Sequence, residues 1–211
     1  MKKIPTLLER DWDNRPKLVL PAWGPGMPPL NAESLVATVK RDGTACAILN
    51  GVLYKRADCK RGSKRAKNVP PGWIECQPMD EKGHWPHWAP VGDGPEDRWH
   101  REAWKAVVAG RGDELATVNE TCELCGPHFQ ANPEEMERDT FIRHGSEEFA
   151  DAPVIGDDPV ALYAALREFL SEHTVEGIVW WTDTQSRGGV SVCKIKRSDF
   201  DLPWPVKKEA P

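Results

Sequence analysis

Leu35-Val36-Ala37-Thr38-Val39-Lys40-Arg41-Asp42-Gly43-Thr44-Ala45-Cys46-Ala47-Ile48-Leu49-Asn50-Gly51-Val52-Leu53-Tyr54-Lys55 is the stretch on which the reading of this chain turns. Residues 35–40 read as a strand, 44–49 as a second, and 52–55 resume the pattern. Asn50-Gly51 lies between two apolar runs. That is a strong hairpin signal, because both central residues of a type I′ turn need φ > 0. Lys40 is therefore expected at a strand end, beside a glycine-relaxed turn that leads into a hairpin.

Working outward, residues 55–67 hold seven cations against the single Asp58, which concentrates positive charge in a chain of net charge −5. Residues 70–95 read as irregular and aromatic, with Gly83-His84-Trp85-Pro86-His87-Trp88 as a structural plug rather than a base-stacking platform. A helix is expected over 95–109, with Trp99, Ala103, Ala106 and Val107 at helical spacing and Gly110 as its stop. Residues 118–124 read as a strand, and 133–151 as an acidic region with a loop. Asp158-Pro159 makes a good N-cap and N1 pair. It opens a helix with the stripe Val160, Tyr163, Leu166 and Leu170. Two last strands are expected at 177–182 and 189–195, joined by a turn at 183–188. The proline-rich residues 1–34 read as an extended lead-in wrapping a core at 35–205, in a single domain spanning 1–211. The mixture predicts an α+β fold dominated by antiparallel hairpins, with two main helices packed on sheet.

Composition bounds the function. With 211 residues, 39% of them hydrophobic, a folded chain should bury roughly 70% of its unfolded surface, which excludes disorder throughout. No apolar run approaches the ~18 residues of a membrane span. No apolar stretch follows Lys2-Lys3, so no signal peptide is expected. Six cysteines without an export signal read as free thiols in a reducing compartment, and a cytoplasmic location without a membrane partner is expected. The net charge argues against a general coat of nucleic acid but leaves local patches open.

Four short segments carry the chemistry: Lys40-Arg41-Asp42-Gly43 (K-x-D-G), Glu123-Leu124-Cys125-Gly126 (E-L-x-G), Glu176-Gly177-Ile178-Val179 (E-G-I-V) and Lys194-Ile195-Lys196 (K-x-K). In this order and on strands or strand ends, they resemble the covalent nucleotidyltransferases, the superfamily of RNA ligases, DNA ligases and capping guanylyltransferases. Ala45 stands where DNA ligases and capping enzymes usually carry an arginine, so the K-x-D-G-T form with its Asn-Gly hairpin looks like an RNA ligase. Gly83-His84-Trp85-Pro86, Trp99-His100-x-Glu102-Ala103 and Ile142-Arg143-His144-Gly145 resemble a compact ATP-dependent family that joins RNA 5′-phosphate and 3′-hydroxyl ends. The resemblance runs from about 30 to 205. It implies the nucleotidyltransferase fold, with two antiparallel sheets flanked by helices and holding ATP between them. With 15 residues after Lys196, no OB-fold appendage is expected.

A lysine amine is nearly all protonated at neutral pH and cannot attack phosphate. Neighbouring positive charge and desolvation lower its pKa. Lys194 and Lys196, two apart on a strand, point to one face and supply that charge, or hold a triphosphate and its transition-state charge. By resemblance, Lys40 takes AMP from ATP as a lysyl-AMP, the AMP passes to an RNA 5′-phosphate, and an RNA 3′-hydroxyl displaces it. Resemblance also gives Asp42 and Gly43 a place beside the nucleotide and Glu176 a magnesium or manganese ion. It gives Glu123 the ribose hydroxyls and Arg56 the nucleotide phosphate or ribose. The base would stack on Phe141, or on Phe129 in its place. The basic run, with Lys60, Arg61, Lys64 and Arg65, is either a solvated loop or a track for the phosphates of an RNA end. Cys122-x-x-Cys125 is not read as a zinc site, because residues three apart on a strand face opposite ways and no second pair completes it. Two rival functions are an RNA-binding module without catalysis, which leaves the order of the motifs unexplained, and a guanylyltransferase.

Overall fold

The computed structural model describes residues 2–27, 35–182 and 191–206. The expected turn at 183–188, the start of the last expected strand at 189 and residues 28–34 of the lead-in lie outside them. In chain order the elements are β1 (Leu8–Arg10), β2 (Val19–Trp23), β3 (Val36–Lys40), β4 (Thr44–Leu49), β5 (Val52–Lys60), α1 (Lys64–Lys67), β6 (Ile74–Glu75), β7 (His84–Pro90), α2 (Arg98–Arg111), β8 (Asn119–Cys125), β9 (Thr140–Arg143), α3 (Pro159–Glu172), β10 (Gly177–Trp181) and β11 (Ser191–Lys196). This is a mixed fold of antiparallel sheets and few helices. No helix of the described residues is long and apolar enough to cross a membrane. Two compact units divide the chain, one built on Gly43–His144 and one on Ile4–Asp42 with Gly145–Pro211.

The first unit carries a six-stranded sheet in the order β6-β7-β5-β4-β8-β9. Its centre is the hairpin read from Asn50-Gly51, whose two residues take φ of 50° and 78°, as a type I′ turn requires. Alternation along β4 and β8 sends Cys46, Ile48, Cys122 and Leu124 to one face. There they form a core with Leu53, Leu115, Val118 and Ala103 of α2. Four expectations are corrected here. The basic run is not a loop, since β5 continues to Lys60 and α1 follows after a turn. The aromatic stretch at 84–88 is not an irregular plug but strand β7, paired with β5 along its whole length. Pro86 is tolerated there because its carbonyl accepts from Cys76 N–H at 3.0 Å. Its missing N–H therefore faces β6, which pairs over only two residues. Gly110 does not stop α2, which runs to Arg111. Gly112, at φ 50°, caps it. Ala106 of the expected stripe is exposed, and Trp104 packs in its place.

The second unit carries a three-stranded sheet, β11-β10-β3, and the pair β1-β2. Asp158 caps α3 by accepting from Val160 N–H at 2.8 Å. The buried stripe of α3 is Leu162, Leu166, Phe169 and Leu170, while Val160 is 59% exposed. That corrects the expected stripe by a rotation about the helix axis. The stripe packs with Ile178, Trp180, Cys193 and Ile195 from one face of the sheet. Leu7, Leu8 and Val19 join this core, so the lead-in is part of the fold rather than a wrapping. Residues 5–7 also run beside β11, with Lys194 N–H bonded to Pro5 O at 3.0 Å and Leu7 N–H to Lys194 O at 2.9 Å. The outer edge of β11 is thereby covered. On the far side, Val39 N–H reaches Glu147 O and Phe149 N–H reaches Ala37 O, which covers β3.

Candidate functional site

In the second unit the sheet register decides which side chains meet. Gly177 of β10 stands opposite Lys40 of β3 on one side and opposite Lys196 of β11 on the other. Val179, two residues on, stands between Thr38 and Lys194. Directly paired residues share a face, so Lys40, Lys194 and Lys196 all lie on the face opposite the α3 core. A methyl group on Gly177 would come within 2.1 Å of Ile195 O, so the glycine between the lysines is demanded by the backbone itself.

Glu176, only 7% exposed, ends the approach to β10. Its carboxylate is ion-paired directly with Lys40 Nζ and lies 3.8 Å from Lys196 Nζ. Burial nonetheless pushes the Glu176 carboxyl above its usual range, against the pull of Lys40. Lys194 is pushed the other way: burial, with the Lys40 and Lys196 ammoniums beside it, brings its pKa down to about 8. At neutral pH it stays largely charged, so it presents a compact cation with little water around it. The expected lysine pair is thus joined to Lys40 in one cluster, and the pair is not equivalent. Lys196 sits on the carboxylate and Lys194 is the desolvated member.

Groups without an expected role hold this cluster. Trp204 Nε1 donates to Asp42 Oδ2 at 2.8 Å, which ties the K-x-D-G aspartate to the C-terminal segment. Arg41 forks onto Glu147 with two bonds of 2.8 Å. Lys196 N–H donates to buried Asp199, which also takes Arg10 Nη2 at 2.6 Å. A histidine or tryptophan motif would have had to be read for its partner, and Trp204 gave no such signal.

For a magnesium or manganese ion, the second unit offers Glu176 and the nearby Asp42, whose charge is felt at Glu176. Among the described residues no group of three or more His, Cys, Asp or Glu side chains forms a metal cluster. Magnesium needs only one or two carboxylates when phosphate oxygens complete its shell, so these two are the residues that could hold such an ion.

In the first unit, Glu123 pairs with Ala45, and Arg56 of β5 lies on the same face by alternation. Glu123 Oε1 accepts from Gly43 N–H at 3.1 Å, and Oε2 meets His144 Nε2 at 3.0 Å. The other imidazole nitrogen of His144 meets Thr121 Oγ1 at 2.9 Å. His144 belongs to the quoted Ile142-Arg143-His144-Gly145 run, but no role was read for it. Gly43 admits no side chain, since a methyl group there would lie 2.3 Å from Leu124 O. Arg56 Nε binds Asp58 at 3.2 Å. Phe141 pairs with Leu124 and packs edge-on against Trp104 at 6.2 Å. The pleat therefore turns it to the α2 side, and Ile142 shares the Glu123 face. Phe129 is buried in that same core.

Lys60, Arg61, Lys64 and Arg65 are all exposed, at the end of β5, in the turn and on α1. Cys122 and Cys125 are buried, as are Cys46, Cys59 and Cys193, and Cys76 alone is half-buried. Burial raises the Cys46 and Cys122 thiols and brings Cys193 up to about 12. Compared with known proteins, the chain matches no family model and no curated protein.

Proposed function

We propose that this protein is an ATP-dependent RNA ligase of the covalent nucleotidyltransferase kind, joining RNA 5′-phosphate and 3′-hydroxyl ends through an adenylylated Lys40. The observation that carries this reading is the gathering of Lys40, Lys194 and Lys196 on one sheet face, with Lys40 and Lys196 against the buried carboxylate of Glu176. Three ammoniums against the carboxylates of Glu176 and nearby Asp42 still leave a surplus of positive charge. Phosphoryl transfer asks for such a surplus, because its barrier is lowered mainly by positioning and by stabilising charge on phosphate oxygens.

In the first step Lys40 Nζ forms a bond to the α-phosphorus of ATP, and the bond from that phosphorus to the bridging oxygen breaks. Pyrophosphate leaves, and the protons that the Lys40 nitrogen gives up pass to solvent. The positive charges of Lys194 and Lys196 favour the negative charge that develops on the phosphates. Glu176 and Asp42 would hold a magnesium ion, which when bound neutralises triphosphate charge. Glu123, held at both oxygens by Gly43 and His144, is assigned the ribose hydroxyls. In the second step an oxygen of an RNA 5′-phosphate takes the adenylyl group and the phosphorus–nitrogen bond breaks. In the third, an RNA 3′-hydroxyl attacks that 5′-phosphate and AMP leaves.

Mass spectrometry after incubation with ATP and Mg²⁺ tests the first step. The expected result is a gain of one adenylyl group mapped to Lys40 and absent from Lys40→Ala. An adduct elsewhere, or none, sinks the mechanism. A guanylyl adduct formed in preference from mixed ATP and GTP would move the reading to a guanylyltransferase.

A further inference from the structure

The corner formed by the end of β5, the following turn and α1 has a property that the fold itself does not need. Between residues 60 and 67 stand Lys60, Arg61, Lys64, Arg65 and Lys67, all exposed and with no acidic residue among them. Among the described residues none of the five is in an ion pair. The backbone that carries these charges is also held in place. Ser63 caps α1 by accepting from Ala66 N–H at 3.1 Å, and Arg61 N–H binds Gly83 O at 2.8 Å. α1 has no acidic residue in its first turn to offset Lys64 and Arg65. Like charges gathered on so short a segment repel one another, and a polyanion relieves that repulsion.

An aromatic group adjoins the charges. The Arg65 guanidinium lies over the ring of half-buried Trp73 at 5.5 Å, and Trp73 leans on His87 at 5.9 Å. Trp85 meets the same imidazole edge-on at 4.5 Å, with its indole N–H bonded to Glu75. Cations beside a braced indole suit a strand whose bases are unpaired. Phosphates meet the ammoniums and a base stacks on the Arg65–Trp73 pair. A duplex keeps its base faces stacked, so it offers this corner phosphates but no base to stack on the indole.

We propose that this corner binds single-stranded nucleic acid, with Lys60, Lys64 and Lys67 on phosphates and Trp73 with Arg65 against a base. The proposal goes beyond the ligation reading and stands without it, since no nucleotide chemistry enters. Fluorescence anisotropy with a labelled single-stranded RNA oligonucleotide, its DNA counterpart and an RNA duplex of equal length, over a range of salt, tests it. Both single strands should bind at least tenfold more tightly than the duplex. Lys60→Ala/Lys64→Ala/Lys67→Ala should lower the slope of log affinity against log salt by about 2, the loss of three phosphate contacts. Trp73→Ala should weaken single-strand binding about tenfold and leave that slope unchanged. Trp73→Phe should restore most of the loss, which separates stacking from local unfolding. Equal binding of duplex and single strand, or an unaltered slope in the triple variant, overturns the proposal.

Discussion

Glu123 and Glu176 are both carboxylates placed by strands, one in each unit, and their partners are of opposite kinds. Glu123 is met by a backbone N–H and an imidazole whose far nitrogen is itself engaged. Glu176 is met by the long flexible amines of Lys40 and Lys196. The first arrangement is a fixed network of short groups that sets the direction of an acceptor. The second gathers cations around a buried acid and leaves net positive charge behind. A scaffold that must orient a neutral polar group uses the first device, and one that must receive an anion uses the second.

The largest expected effect breaks or upholds the second half of that contrast. Lys194→Ala and Lys196→Ala should each slow lysyl-AMP formation tens- to about a thousandfold, as for loss of one electrostatic stabiliser. Arginine at either position should not fully rescue, since a planar fork is no substitute for a compact ammonium. Single-turnover rates with ATP measure this. If both variants react at the wild-type rate, the cation cluster has no catalytic role.

Next come the two glycines, one in each unit. Gly177→Ala and Gly43→Ala each press a methyl group on a backbone carbonyl, at 2.1 Å and 2.3 Å. A loss of about 1–3 kcal/mol or more in urea unfolding is expected from such crowding. Tolerance of either would mean that strands in that unit shift easily.

The depressed pKa of Lys194 gives a pH signature. Between about 8, its folded value, and about 10.4, the ordinary value, the unfolded chain binds the extra proton, so stability rises with pH through that window. Relative to Lys194→Met, the wild-type should gain of the order of 1–3 kcal/mol from pH 8 to pH 10.5. Parallel pH curves for the two proteins would place Lys194 in ordinary solvent.

The smallest effect sharpens the first half of the contrast. His144→Phe removes both imidazole bonds and should cost about 1–2 kcal/mol of stability. It should also raise the KM for ATP more than it lowers kcat. An unchanged KM would separate Glu123 from the nucleotide.

The hairpin at 44–55 and the strand ending at Lys40 were legible because Asn50-Gly51 punctuates apolar runs. The three lysines were legible as one face because alternation on β11 is a local rule. What escaped was set by pairing rather than by pattern. β5 beyond Lys55 has only Cys59 as a buried apolar residue, and β7 at its side holds it extended. β7 itself is disguised by Pro86, which its neighbour tolerates. β1 and β2 hide among prolines because their buried residues, Leu8 and Val19, are far apart in sequence and meet only in the folded core. The offset of the α3 stripe has a similar source, since Val160 and Leu162 are equally apolar and the sheet beneath chooses between them. Phe141 shows the limit for the site: its residue type suits stacking, but only register reveals which face it takes.

The half-buried Cys76 gives the protein a chemical handle. The other five thiols are enclosed, and a thiol must ionise before it reacts. A maleimide dye should therefore couple at Cys76 in the native chain without any cysteine being removed. Cys76 follows Glu75, the residue that holds Trp85, and its N–H is anchored to Pro86. A dye there is seated next to the strand that braces the aromatic group. Its emission would report an oligonucleotide settling on the α1 corner in real time, and full denaturation would be seen as five further thiols becoming reactive.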